Sequence, residues 1–163
     1  ISCIGNTLDE ISNSLRKGIS GISRNEEYDA LGFRSKISGS VNIDIKDLID
    51  RKLLRFMGEA AAYSYLSAVN AIQDSELSES IFETDRIGVI AGSGGASSRS
   101  QVDAADIMRN KGVKRIGPYR VTQTMGSTVS ACLSTSLKIK GINFSISSMS
   151  FIGISLCTPP VLK

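Results

Sequence analysis

The apolar run RIGVIA at 86–91 opens directly into the glycine-rich GSGGASS at 92–98, and this junction constrains the fold more than any other stretch. A short run rich in β-branched residues reads as a buried strand. Glycines straight after it allow a tight turn where backbone approaches a neighbouring element. A helix is expected next, over 99–109. Strand, glycine turn and helix in that order indicate a mixed α/β layer fold.

The flanking segments fit that frame. Thr7 can cap a helix over 7–16, with Glu10 three residues on completing a capping box. Leu8, Ile11 and Leu15 form its apolar stripe. Residues 18–28 read as a loop, and 39–45 alternate as a short edge strand would. A long helix is expected over 50–72, because Leu54, Met57, Ala61, Tyr65, Ala68 and Ile72 recur at three- and four-residue steps. Ala60, Ala61 and Ala62 would let it sit close to a neighbour. Residues 112–121 read as a loop containing Pro118. The stretch 122–138 is uncharged until Lys138 and rich in Ala, Ser and Thr, so it reads as one helix buried on nearly all sides. The uncharged stretch 141–162 is too rich in Ser and too interrupted by proline for a spanning helix and reads as a buried strand, with its core at 143–148. No strand precedes the opening ISCIGN, so the sheet is expected to lack its first strand.

Composition narrows the class. The chain has 163 residues, a net charge of +3 and no histidine or tryptophan. So mild a basic balance argues against a general nucleic-acid binder. Three cysteines without CxxC spacing suit a reducing cytoplasm better than a disulfide framework. Without histidine a zinc site has no evident ligand set, and no metal or cofactor is expected. Residues 1–10 show neither a basic start nor an apolar block, so no secretory leader and no membrane association are expected.

Four segments stand in one order: IDRKLLRFM (49–57), IGVIAGSGG (87–95), VTQTMGSTVSACLS (121–134) and GINFSISS (141–148). Together they resemble the β-ketoacyl-acyl carrier protein synthases, closest to the type I condensing enzymes of bacterial fatty acid biosynthesis. The resemblance implies a thiolase-like layered fold. Of that fold, residues 1–148 would form an incomplete N-terminal half with a mixed sheet and flanking helices, and 149–163 a divergent tail. It also implies a homodimer, with the segments 122–138 and 143–148 near the two-fold axis. The implied reaction is a decarboxylative condensation of an acyl thioester with malonyl-acyl carrier protein, a transferase chemistry.

In that family SISS is followed by Ala-Cys, and the cysteine is the nucleophile at the start of a buried helix. Here Met149 and Ser150 stand in its place. A serine hydroxyl is far harder to ionise than a thiol, whose free pKa is about 8.5. It needs a general base beside it, and the chain has no histidine to serve. Ser150 at the nucleophile position is therefore not expected to work, and Cys157 reads as a small apolar residue rather than a displaced nucleophile. The expectation is a truncated half, catalytically incompetent alone, that leaves a sheet edge open and self-associates.

Other residues carry functional readings. Arg51, Lys52 and Arg55 cluster at a helix start, where positive charge is mildly unfavourable. They would dock the acidic acyl carrier protein, as matching residues do in the family, or form a solvated helix start paired with Asp50 or Glu59. The resemblance also places Gly95, Gln101, Val121 and Met125 along the acyl pocket. For Val121 and Met125, ordinary helix packing is the competing reading. The glycine loop lacks the GK[ST] of a P-loop and the spacing of GxGxxG, so a turn is favoured over a phosphate site and over a nucleotide-binding fragment. A non-catalytic carrier-protein-binding or dimerising module is the alternative to a condensing enzyme.

Overall fold

The computed structural model describes residues 1–95 and 97–147, except the side chains of Glu79 and Glu83, and the backbone alone of 153–157. The expectations for Met149, Ser150 and most of the segment 149–163 lie outside the described residues. The chain divides into two compact units, Ile1–Asp44 and Ile45–Lys163.

In the first unit, helix α1 (Leu8–Lys17) starts as the capping box requires: Thr7 accepts from the Glu10 backbone N–H, and Glu10 reaches back to the cap. The Asn6 and Thr7 N–H groups that Glu10 accepts hold its carboxyl below the usual range. Gly18, in the left-handed region at φ 63°, ends the helix. Residues 18–28, expected as loop, contain strand β1 (Ile22–Arg24) and helix α2 (Glu26–Ala30). Strand β2 (Ile37–Gly39) pairs antiparallel with β1. Asp29 joins the two sides of this hairpin by ion pairs to Arg24 and Lys36. The edge strand expected over 39–45 therefore lies earlier. The α1 stripe does not make a core, since Leu8 and Leu15 are 76% and 67% exposed. The unit is too small to enclose one: the buried apolar residues among those described all lie beyond it.

The second unit holds that core. Helix α3 (Ile45–Leu48) leads into α4 (Arg51–Leu54), and α5 (Glu59–Asp74) follows. The single helix expected over 50–72 is thus broken at 55–58. Gly58, in extended backbone, caps α5, and a Cβ there would lie 3.2 Å from the Gln123 carbonyl and 3.3 Å from Ser97. The periodic stripe survives the break because Met57 is buried along with Ala61 and Ala68.

Strand β3 (Gly88–Ser93) is the centre of a three-stranded sheet. Strand β4 (Asn143–Ser147) lies parallel on one side and β5 (Gly153–Cys157) antiparallel on the other. The connection from β3 to β4 runs through α6 (Ser98–Lys111), α7 (Tyr119–Thr124) and α8 (Thr128–Ser136). One helix was expected over 122–138. Instead the chain becomes extended at Met125, and the Thr128 hydroxyl donates to the Met125 carbonyl at 2.7 Å and to that of Thr122. The Thr128 backbone N–H also donates to the Met125 carbonyl, at 3.3 Å, so side chain and backbone together hold the turn.

The core joins Val89 and Ala91 of β3 to Ala61 and Ala62 of α5 and Val129, Cys132 and Leu133 of α8. Strand β4, expected to be buried, is exposed along its whole length. Among the described residues it pairs with β3 on one edge only, and Phe144 is 58% exposed.

The crossing of β3 and β4 is tight. A Cβ on Gly141 would strike the Ile87 carbonyl and lie 2.5 Å from that of Asp85. Gly141→Ala should therefore cost about 1–3 kcal/mol. Gly95→Ala, where nothing lies within 4 Å, should change stability by no more than about 0.5 kcal/mol. Urea unfolding midpoints check this, and equal midpoints for the two variants would contradict it.

Candidate functional site

The basic cluster sits on α4 and its C-terminal cap. Asp50 opens the helix, its carboxylate accepting from the Lys52 backbone N–H at 2.6 Å. That carboxylate offsets the unfavourable placement of two cations at a helix start. Arg51, Lys52 and Arg55 are all exposed. Helix α4 ends at Leu54, and Arg55 continues it as a cap in right-handed helical backbone.

The local ion pairs of the competing reading are not formed. Asp50 is engaged as a cap, and Glu59 pairs with Arg99 at 3.0 Å. Arg51 and Lys52 have no side-chain partner among the described residues. Arg55 is held differently. Its Nη1 donates to the Tyr119 hydroxyl at 3.1 Å, and its guanidinium carbon lies 5.3 Å from the centre of the Tyr119 ring. Gln123 Nε2 donates to the Arg55 carbonyl at 3.0 Å, and the Phe56 ring meets Tyr119 edge to face at 5.0 Å. Tyr119 and Gln123 were not singled out from the sequence. No local pattern could point to them, because they lie 64 and 68 residues from Arg55.

Beneath this cluster is a cavity of about 280 Å³, lined mainly by apolar groups that include Leu53, Phe56, Met57, Met125 and Cys132. The candidate acyl-pocket residues divide. Met125 lines this cavity and also meets Gly95 around a second space of about 20 Å³, beside Ser93 and Gly58. Gln101, on the exposed side of α6, and Val121, 63% exposed on α7, line neither. The glycine loop is shorter than expected, because Gly92 and Ser93 belong to β3. Ser93 Oγ donates to the Gly95 carbonyl at 2.8 Å, a local turn contact.

Nucleophiles are few. Ser150 lies outside the described residues, as does the side chain of Cys157. Cys132 is buried, and burial pushes its thiol above the ordinary value, toward the neutral form. It therefore behaves as a packing residue rather than an activated thiol. Cys3 is exposed. Among the described residues no group of three or more His, Cys, Asp or Glu could hold a metal, and no helix is long and apolar enough to cross a membrane.

A mixed sheet with helices packed on it, a glycine turn after the central strand and a long helical crossover define a layered α/β fold, and solved ketosynthases share it. The ishigamide ketosynthase/chain length factor superposes with a TM-score of 0.75 at 22% identity, over 90% of this chain and 37% of that one. A type II PKS ketosynthase in complex with its acyl-carrier protein superposes with a TM-score of 0.66 at 18% identity, over 92% and 39%. The family model "Beta-ketoacyl synthase, N-terminal domain" matches residues 1–150, and the chain belongs to that family. It is 50% identical over 150 residues to 3-oxoacyl-[acyl-carrier-protein] synthase 1 of Escherichia coli K12. That match takes in 91% of this chain and spans 37% of the relative's length.

The thiols provide a test. With an aromatic disulfide reagent under native conditions, Cys3 should be modified well before Cys132, and denaturant should remove the difference. Peptide mapping resolves the two sites; equal native rates would contradict the buried, neutral thiol.

Proposed function

We propose that the chain supplies the carrier-docking surface and part of the acyl pocket of a 3-oxoacyl-[acyl-carrier-protein] synthase of fatty acid biosynthesis. Residues 1–148 form this N-terminal portion, and 149–163 diverge from the family pattern. The reading rests on the 50% identity to the E. coli synthase over 150 residues. Arg51, Lys52 and Arg55 dock the acidic carrier protein, and their exposure, with none of the three in an ion pair among the described residues, supports this. Gly95, Gln101, Val121 and Met125 border the acyl chain, with the grouping of Gly95 and Met125 as support.

These 163 residues do not perform the condensation by themselves. They include no imidazole, so Ser150 in the place of the cysteine has no histidine to take its proton. The synthase works as a homodimer in the cytoplasm. The outer edge of β4, unpaired among the described residues and with Phe144 exposed, supports the first of these, and the free thiols of Cys3 and Cys132 support the second. The same exposed surfaces favour a second reading, a non-catalytic module that binds carrier protein or a second copy.

Two experiments separate these readings. Incubated with acyl-loaded acyl carrier protein, the purified chain should show no acyl adduct by intact mass; an adduct on Ser150 or Cys157 would defeat the claim of incompetence. A chimera joining residues 1–148 to the remaining portion of the E. coli synthase should condense malonyl thioester. A folded but inactive chimera would favour the non-catalytic module.

Binding checks the docking surface. Affinity of the chain for acyl carrier protein should fall as salt rises, and Arg55→Glu should weaken it by about tenfold or more. Indifference to both changes would remove Arg51, Lys52 and Arg55 from the interface.

A further inference from the structure

The three cations of the docking surface are not equivalent. Arg51 and Lys52 project without a side-chain partner among the described residues. Arg55 alone is fixed, and one residue does most of the fixing. The Tyr119 hydroxyl accepts from Nη1 at 3.1 Å, and its ring stands 5.3 Å from the guanidinium carbon.

Tyr119 is itself immobilised. It opens α7 directly after Pro118, a residue suited by its fixed φ to a helix start. Its ring meets Phe56 edge to face, and Gln123, one turn further along α7, clasps the Arg55 carbonyl. Arg55 is thus held at its backbone and at its head by a single short helix. Only one of its Nη groups is spent on tyrosine. The rest of the planar fork remains for a carboxylate or phosphate.

We infer that Tyr119 is a positioning residue, which pre-orders the Arg55 guanidinium so that it meets an acidic partner without first losing side-chain freedom. The inference rests on the carrier-protein reading of this surface. Ordering a long side chain on binding costs about 0.5–1.5 kcal/mol, and a guanidinium over an exposed aromatic face gains about 0.5–1 kcal/mol. Arg55 therefore acts as the anchor that slows dissociation, whereas Arg51 and Lys52 steer the approach. Lysine at position 55 could not use the tyrosine hydroxyl and ring while presenting a planar fork.

The experiment measures binding kinetics of the full 163-residue chain on immobilised E. coli holo-acyl carrier protein, with thermal unfolding of every variant. Arg55→Ala should weaken binding. Tyr119→Phe, which keeps the ring and loses the hydroxyl, should raise the dissociation rate about two- to fivefold, and Tyr119→Leu about three- to tenfold. Arg51→Ala and Lys52→Ala should instead slow association and flatten its salt dependence. The deciding comparison is Tyr119→Leu in the Arg55→Ala background, where no further loss is expected. Equal losses in both backgrounds would make Tyr119 a packing residue and overturn the inference, as would wild-type kinetics in both Tyr119 variants. If Arg55→Ala itself leaves binding intact, the carrier-protein reading of this surface fails first and takes the inference with it.

Discussion

Two glycines where β3 and β4 begin set the conditions for the larger unit. Gly88 and Gly141 lie where the strands come closest. A Cβ on Gly88 would sit 2.5 Å from the Ile142 carbonyl, and one on Gly141 would meet the Ile87 carbonyl. Their absence lets Val89 N–H donate to Ile142 at 2.8 Å and Gly141 N–H to Ile87 at 3.1 Å. Those bonds start the parallel register that runs from Val89 opposite Asn143 to Ser93 opposite Ser147. Parallel neighbours need a long crossover, and here it contains α6, α7 and α8. The crossover packs α8 on β3 and carries Tyr119 to Arg55. The placement of Tyr119 beside Arg55 is therefore a consequence of strand pairing at some distance from it.

Close packing over β3 follows from small side chains. Ala61 and Ala62 on α5 and Ala91 on the strand are buried. With little side chain between them, Leu133 of α8 and Val89 fill the remaining space and are nearly inaccessible. Helix α8 reaches β4, where Asn143 Nδ2 donates to Ser134 Oγ at 2.7 Å, but Phe144 and Ile146 are left in the open. Burial here tracks position in the sheet rather than hydrophobicity of the strand.

That distinction decides what could be read from the sequence. The capping box at Thr7 and Glu10 was legible because its cause is local. So was the buried stripe through Met57, Ala61 and Ala68, which depends only on helical spacing. The breaks at 55–58 and 125–127 were not. Gly58 interrupts a helical pattern because Gln123 and Ser97 crowd it, and both belong to the crossover. The Met125 turn is held by a threonine hydroxyl that in sequence reads as ordinary helix content. Leu8 and Leu15 misled in the opposite sense, since an amphipathic pattern promises a partner that residues 1–44 are too few to supply. The four family motifs were legible throughout, and they carried the fold where local patterns did not.

The same contrast separates docking from chemistry. The proposed docking surface needs exposed charge on a rigid support, and the contacts of residues 50–55 and α7 are compatible with it: Asp50 caps the helix start, Glu59 pairs with Arg99, and Arg55 donates to the Tyr119 hydroxyl. Condensation needs a thiolate, an activating helix and acid–base partners converging on one carbon, which is a far more exacting arrangement. The one buried thiol described, Cys132, lies in apolar packing that favours its neutral form, the reverse of what a nucleophile requires. The two functions therefore place separable demands on a scaffold, and the proposed docking role asks less of α4 and α7 than condensation would ask of an active site.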